Sequence, residues 1–304
     1  MLPHDPLLGY EPWRRRPGWF VLLGALLATV GAGAGLTAAE APAPAKTAAD
    51  LSDAEKERFL LEGQIVKRKS AKGGITLSER ATLRLGDLEH DCHIQRIDEH
   101  KPSLAVGSTT ELDFHDSFRN NVAAYRIDRV LGLGMAAVTV MRRDGDRAAS
   151  FMWWVDDVML NEKERYERKI QAPDPEAWNH QIFAVRVFDQ LIFNFDRNLG
   201  NLVIDKDWRV WMIDHSRAFK AFKELRTPKN LGTHCDRSLL AALRRLDQPA
   251  LKAAMKDLLT PAQINGLLGR RDLIVQYYDA KAKELGEDAV LYDLPRVRET
   301  PAPH

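Results

Sequence analysis

The chain has 304 residues, 45% of them hydrophobic and 29% charged, which is enough for a sizeable buried core and excludes general disorder. Its 44 Lys and Arg against 43 Asp and Glu leave a net charge of +1; the basic surplus of a nucleic-acid-binding domain is missing, so no nucleic-acid partner is expected. Two cysteines, Cys92 and Cys235, stand far apart in no metal-binding spacing, which excludes a zinc module and a disulfide scaffold.

Arg14, Arg15 and Arg16 precede an uncharged stretch, 18–39, and small residues follow up to Ala41. A basic flank, an apolar run and small residues predict a secretory signal over 1–41, with an uncleaved membrane anchor as the alternative. The expected location is therefore exported or membrane-anchored in preference to cytoplasmic, with membrane contact through 18–39. Residues 42–55 read as an Ala/Pro-rich linker running into a helix, with Asp50 or Ser52 as cap and Phe59, Leu60 and Leu61 ahead of Gly63.

β-rich runs at 63–66, 74–77, 81–85 and 90–97 then predict a small antiparallel sheet. Phe118, Val122, Tyr125, Ile127 and Leu131 keep a helical period over 115–131, which Gly132-Leu133-Gly134 ends. Strands return at 136–141 and 150–159. Beyond Pro173 the pattern predicts a long apolar helix over 178–191, two short strands at 201–204 and 210–213, and only helices from 236 to 285, one opened by Thr260-Pro261. The expected class is α+β and two-lobed: a small antiparallel-sheet N-lobe with one helix (56–160) and a mainly helical C-lobe (161–304). Two local patterns are set aside. Gly132-x-Gly134-x-x-Ala137 follows a helix and precedes a strand, the reverse of a dinucleotide loop. His90 and Cys92 alternate along a strand with Asp91 and His93, so their side chains do not converge.

The chemistry is densest over 188–219. Asp196-Arg197-Asn198-Leu199-Gly200-Asn201 follows the apolar helix, a hairpin turns at Asp205 to Asp207, and Asp214 closes the strand after it. A carboxylate, an amide five positions on and a second carboxylate beyond a hairpin are what phosphoryl transfer needs. Asp196 can orient an attacking hydroxyl and accept its proton, Asn201 and Asp214 offer hard oxygen ligands to Mg2+ or Mn2+, and Gly200 permits the tight turn between them.

On D-R-N-x-G-N and I-D-H-S this stretch resembles the catalytic and metal loops of the protein-kinase-like superfamily, nearest in form to the phosphoinositide 3- and 4-kinases and the HipA-like kinases. The resemblance implies a two-lobed kinase-like fold, Asp196 as catalytic aspartate, and Asn201 and Asp214 as metal ligands. Arg197, Asn198, Gly200 and His215 would support the catalytic loop, His215 and Ser216 standing where the kinase triplet has Phe and Gly.

In the N-lobe, Lys72, Gly73 and Gly74 fit a flexible hairpin over the nucleotide phosphates. The strand lysine and helix glutamate of the kinase pattern are replaced by Gln95 and Asn121, which can hydrogen-bond each other without burying a charge. Either a basic residue elsewhere (Lys72, Arg96, Lys101 or Arg119) grips the phosphates, or nucleotide affinity is poor. Trp154 falls at the junction of the lobes, placed to cover an adenine ring. Two functions are expected from this: an atypical kinase passing the γ-phosphoryl of Mg-ATP to a hydroxyl of a protein, lipid or small molecule, or a catalytically silent pseudokinase-like binding module.

Overall fold

Ser52 opens the first helix through a reciprocal cap, its hydroxyl accepting from the Glu55 amide at 3.3 Å while the Glu55 carboxylate accepts from the Ser52 amide at 2.8 Å. That helix, α1 (Asp53–Glu62), stops at Gly63, where any β-carbon would lie 2.7 Å from the Phe59 carbonyl oxygen. In this computed structural model the described residues are 47–70, 78–106, 109–195 and 197–295. The leader and linker expected before residue 47 lie outside them, as does the run 74–77.

The strands β1 (Gln64–Ser70), β2 (Ser78–Leu85) and β3 (Leu88–Gln95) form one antiparallel sheet with β6 (Thr139–Asp144) and β7 (Arg147–Trp153), in the order β1-β2-β3-β7-β6. Alternation divides its side chains between two faces. Ala81, Leu83, Cys92, Ile94, Phe151 and Trp153 are buried with Phe59 and Leu60 of α1. The register puts Arg80, His93 and Met152 on the other face, with Gln95 opposite Ser150.

Between β3 and β6 come a hairpin of β4 (Asp98–Val106) and β5 (Thr109–Ser117) and the helix α2 (Phe118–Val130). The hairpin is unexpected from sequence because its strands are mostly polar and lack an apolar alternation. It also takes the residues 115–117 from the helix predicted to start there; Ser117 is the cap instead, its Oγ accepting from the Arg119 amide at 3.2 Å. After α2, Gly132 and Gly134 take φ of 64° and 72°, and the chain wraps the fully buried Asp128, whose carboxylate accepts from the amides of Gly134, Met135 and Ala136 at 3.0, 3.0 and 3.2 Å. The glycine pattern there thus serves a helix end.

The single strand expected over 150–159 breaks at 154–157, where Asp157 takes φ of 54°, into β7 and β8 (Val158–Asn161). Next come α3 (Glu162–Glu167), α4 (Pro175–Ile192), β9 (Leu202–Asp205) and β10 (Val210–Met212), the last two pairing with β8 as β10-β9-β8. The chain then runs through β11 (Cys235–Asp236), α5 (Arg237–Arg245), α6 (Gln248–Ala254), α7 (Pro261–Leu285), α8 (Glu287–Val290) and β12 (Leu291–Tyr292). β11 and β12 form a short parallel pair too brief to signal itself in sequence. Thr260 caps α7 with Pro261 in its first turn, as its sequence requires. The architecture is the expected α+β: an antiparallel-sheet N-terminal part and a helical C-terminal part. Among the described residues no helix is long and apolar enough to cross a membrane.

Candidate active site

Arg197 organises the C-lobe loops. Its guanidinium grips the Asp189 carboxylate of α4 with Nε and Nη2, both at 3.0 Å, while Nη1 donates to the carbonyls of Asn201 at 3.1 Å and Ile213 at 2.7 Å. The Asn201 carbonyl also accepts from the Ile213 amide at 3.1 Å. One buried bidentate pair therefore holds Asn201 against the residue preceding Asp214. Gly200 fits because a β-carbon there would come within 3.0 Å of Asn198 Oδ1, and the Asn198 carbonyl accepts from the Asn201 amide at 3.0 Å. Asp214 is exposed in a left-handed backbone conformation, φ 54°, a conformation that asparagine and aspartate adopt more readily than other non-glycine residues. Asp196 lies outside the described residues, between Phe195 and Arg197.

Helix α2 clamps the segment following Asp214. The Ser117 amide donates to the Ser216 carbonyl at 2.9 Å, and Asn120 Nδ2 donates to the carbonyls of Ser216 at 2.7 Å and Ala218 at 3.0 Å. Asn121 Oδ1 accepts from the His215 amide at 2.7 Å, and its Nδ2 donates to Gln95 Oε1. A backbone N–H can only donate, which fixes the amide orientation of Asn121. Gln95 and Asn121 are thus neighbours across strand and helix. The His215 ring is buried edge-on to Phe188, and burial, aided by the Arg197 charge, holds its pKa well below the usual histidine range.

Three of the four cations considered as substitute grips are engaged elsewhere. Arg96 pairs with Asp144 and Glu79, Lys101 with Glu99 at 2.8 Å, and Arg119 with Asp98 at 3.1 Å. Lys72, with Gly73 and Gly74, lies outside the described residues. Trp154 is half-buried at the end of β7, with the Arg80 guanidinium 4.0 Å over its ring, so one face of this indole is already covered. Arg80 is itself held by Asp91 at 2.6 Å. His93, on the same sheet face, has its pKa lowered by burial, against the opposing pull of the Asp214 charge.

The sequence reading missed Asp189, Arg80, His93 and Asp116 in this region. Asp189 carried a signal, a carboxylate on the buried side of an apolar helix. Arg80 and His93 looked like ordinary strand residues, and Asp116 fell in the first turn of the helix expected over 115–131. Away from the loops, His100 and His115 stack at 4.1 Å and 7°, with Asp113 bonded to both; one ligand atom of each of the three lies within 4.8 Å of the others, a spacing that could hold a metal ion.

A small antiparallel sheet with one clamping helix, over a helical half whose two loops are locked together, is a protein-kinase-like fold. Solved structures agree. The chain is similar to hydra Fam20 with sugar, at a TM-score of 0.60 and 14% identity over 82% of this chain and 94% of that one. It is likewise similar to the Golgi casein kinase, at 0.55 and 16% over 82% of each chain, and to that kinase with Mn/ADP bound, at 0.54 and 16% over 81% and 80%. At such identities the likeness is one of fold, and it assigns no branch of that fold. No protein-family model and no curated protein matches the chain.

Proposed function

We propose that the protein is an atypical kinase that transfers the γ-phosphoryl group of ATP to a hydroxyl. The observation that carries this reading is the stitching of Asn201 to Ile213 by Arg197, which holds the backbone of Asn201 against the residue preceding the exposed Asp214. The donor set is all hard oxygen, which suits Mg2+ or Mn2+; Asn201 and Asp214 would hold the ion, which when bound neutralises charge developing on the phosphates. Asp196 accepts the proton as the acceptor oxygen bonds to the γ-phosphorus and the bridge to the β-phosphate breaks, releasing ADP. In this reading the roles expected of Lys72, Gly73 and Gly74 are contacts to the phosphates, the Gln95–Asn121 pair positions the loop after Asp214, and Trp154 offers the adenine its remaining face. A neighbour of this fold holds Mn/ADP, which supports the choice of ligands.

The second reading, a silent binding module, is favoured by one observation: the amide pair of Gln95 and Asn121 occupies the place of an ion pair. Thermal unfolding of the full chain with ATP, with and without Mg2+, separates the two. A magnesium-dependent upward shift that Asp214→Ala abolishes and Asp196→Asn retains, with phosphate transfer lost in both, is expected of the kinase. No nucleotide-dependent shift in the wild type would overturn it. A signal or anchor over 1–41 fits a neighbour named for the Golgi; since ATP is scarce outside the cytoplasm, an exported form needs another donor, and an anchored form would face the cytoplasm.

A further inference from the structure

Asp116 is the last residue of β5 but one, immediately before the Ser117 cap of α2. It is 9% exposed, and its buried Oδ1 has no hydrogen-bond partner among the described residues. A buried carboxylate oxygen without a partner is costly, and native structures retain such a group chiefly where a ligand or ion completes it. Its surroundings identify the missing partner as cationic. The Ser216 side chain hydrogen-bonds to this carboxylate, and the Ser216 amide lies 3.4 Å from Asp214 Oδ1, so one residue touches both acids. Arg217 is directed to Glu111 and lies over Phe114 and Phe195. Two carboxylates thus meet at Ser216, one exposed and one buried.

We infer that Asp116 is a third oxygen ligand of the divalent cation, supplied by the β5–α2 junction to complete the Asn201 and Asp214 set. The inference rests on the kinase reading of that loop. It gives the junction a role beyond clamping: the Ser117–Ser216 backbone bond holds a carboxylate from the N-lobe at the metal, so that the ion joins the lobes.

The test is Mn2+ binding to the full chain, read from the electron paramagnetic resonance of free Mn2+ in the presence of saturating ADP, for wild type, Asp214→Ala and Asp116→Asn. Both variants are expected to lose affinity by on the order of tenfold or more. Thermal unfolding without metal supplies the second measurement. Asp116→Asn removes a buried, unmatched charge at constant shape, so its metal-free midpoint should equal or exceed that of the wild type, and the stabilisation by Mn2+ should shrink. Wild-type Mn2+ affinity in Asp116→Asn beside a loss in Asp214→Ala would overturn this inference and leave the kinase reading intact. A metal-free midpoint below wild type would show a structural acceptor and overturn it as well. No Mn2+ uptake by the wild type would remove the kinase reading, and the inference with it.

Discussion

The link between Gln95 and Asn121 can be examined by converting it into the charged pair that kinases use. Asn121 sits between two obligations: its Oδ1 serves the buried His215 amide and its Nδ2 serves Gln95. Gln95→Lys alone sets an ammonium against that Nδ2, donor to donor, in a site where Gln95 is 3% and Asn121 7% exposed. Asn121→Glu alone keeps an acceptor for His215 and lets the Gln95 amide turn its NH2 toward the new carboxylate, so its main cost is one desolvated charge. The two single changes should therefore be unequal, the lysine the worse, at about 3–5 kcal/mol for an uncompensated buried charge. The double variant restores complementarity, and the cycle should show a favourable coupling of about 1–3 kcal/mol. Thermal unfolding reads this directly, since each 1 kcal/mol moves the midpoint by roughly 2–4 °C in a domain of this size. Additive midpoints, or a glutamate variant worse than the lysine one, would refute the geometry.

Gly266 lies in α7 where a β-carbon would meet the Ala221 carbonyl oxygen at 2.7 Å; Gly266→Ala should lower stability by about 1–3 kcal/mol despite alanine's better helix propensity, as a reduced unfolding midpoint. Asp128→Asn turns an NH2 toward amides that now donate to a carboxylate, and should cost about 2–4 kcal/mol, measured by urea unfolding. Burial pushes the Cys92 thiol up to about 12 and Cys235 higher still, so neither should react with a thiol reagent until the chain unfolds. Because the unfolded thiols ionise near pH ~8.5 and the folded ones do not, stability is full below that pH and falls as pH rises toward 12; Cys92→Ala should flatten this alkaline decline.

The architecture was legible wherever burial imposed a period. The long helix α4, the strand runs of β2 and β3, and the Thr260-Pro261 start of α7 all carry apolar spacing or capping that admits one reading. The β4–β5 hairpin did not, because a polar ribbon held by its backbone ladder leaves no hydrophobic alternation. The loop containing Asn201 and Asp214 was readable from residue type and spacing, and so was the contact of Gln95 with Asn121. What sequence withheld was the agent of the arrangement. Arg197 is legible as a loop residue, but its bonds to Asp189, Asn201 and Ile213 are not, and Asp116 reads as part of the helix expected from 115.

On the proposed kinase reading, amides stand at Gln95 and Asn121 in place of an ion pair, which bears on how the two parts of the chain are joined. A lysine–glutamate pair depends on two charges that must be desolvated together, and it responds to ionic strength wherever solvent reaches it. The Gln95–Asn121–His215 chain carries no charge, and Asn120 and Ser117 repeat its task with three more bonds to the carbonyls of Ser216 and Ala218. The helix is thus fixed to the segment after Asp214 by neutral hydrogen bonds within a buried setting. Such a clamp stays closed without a switch in charge.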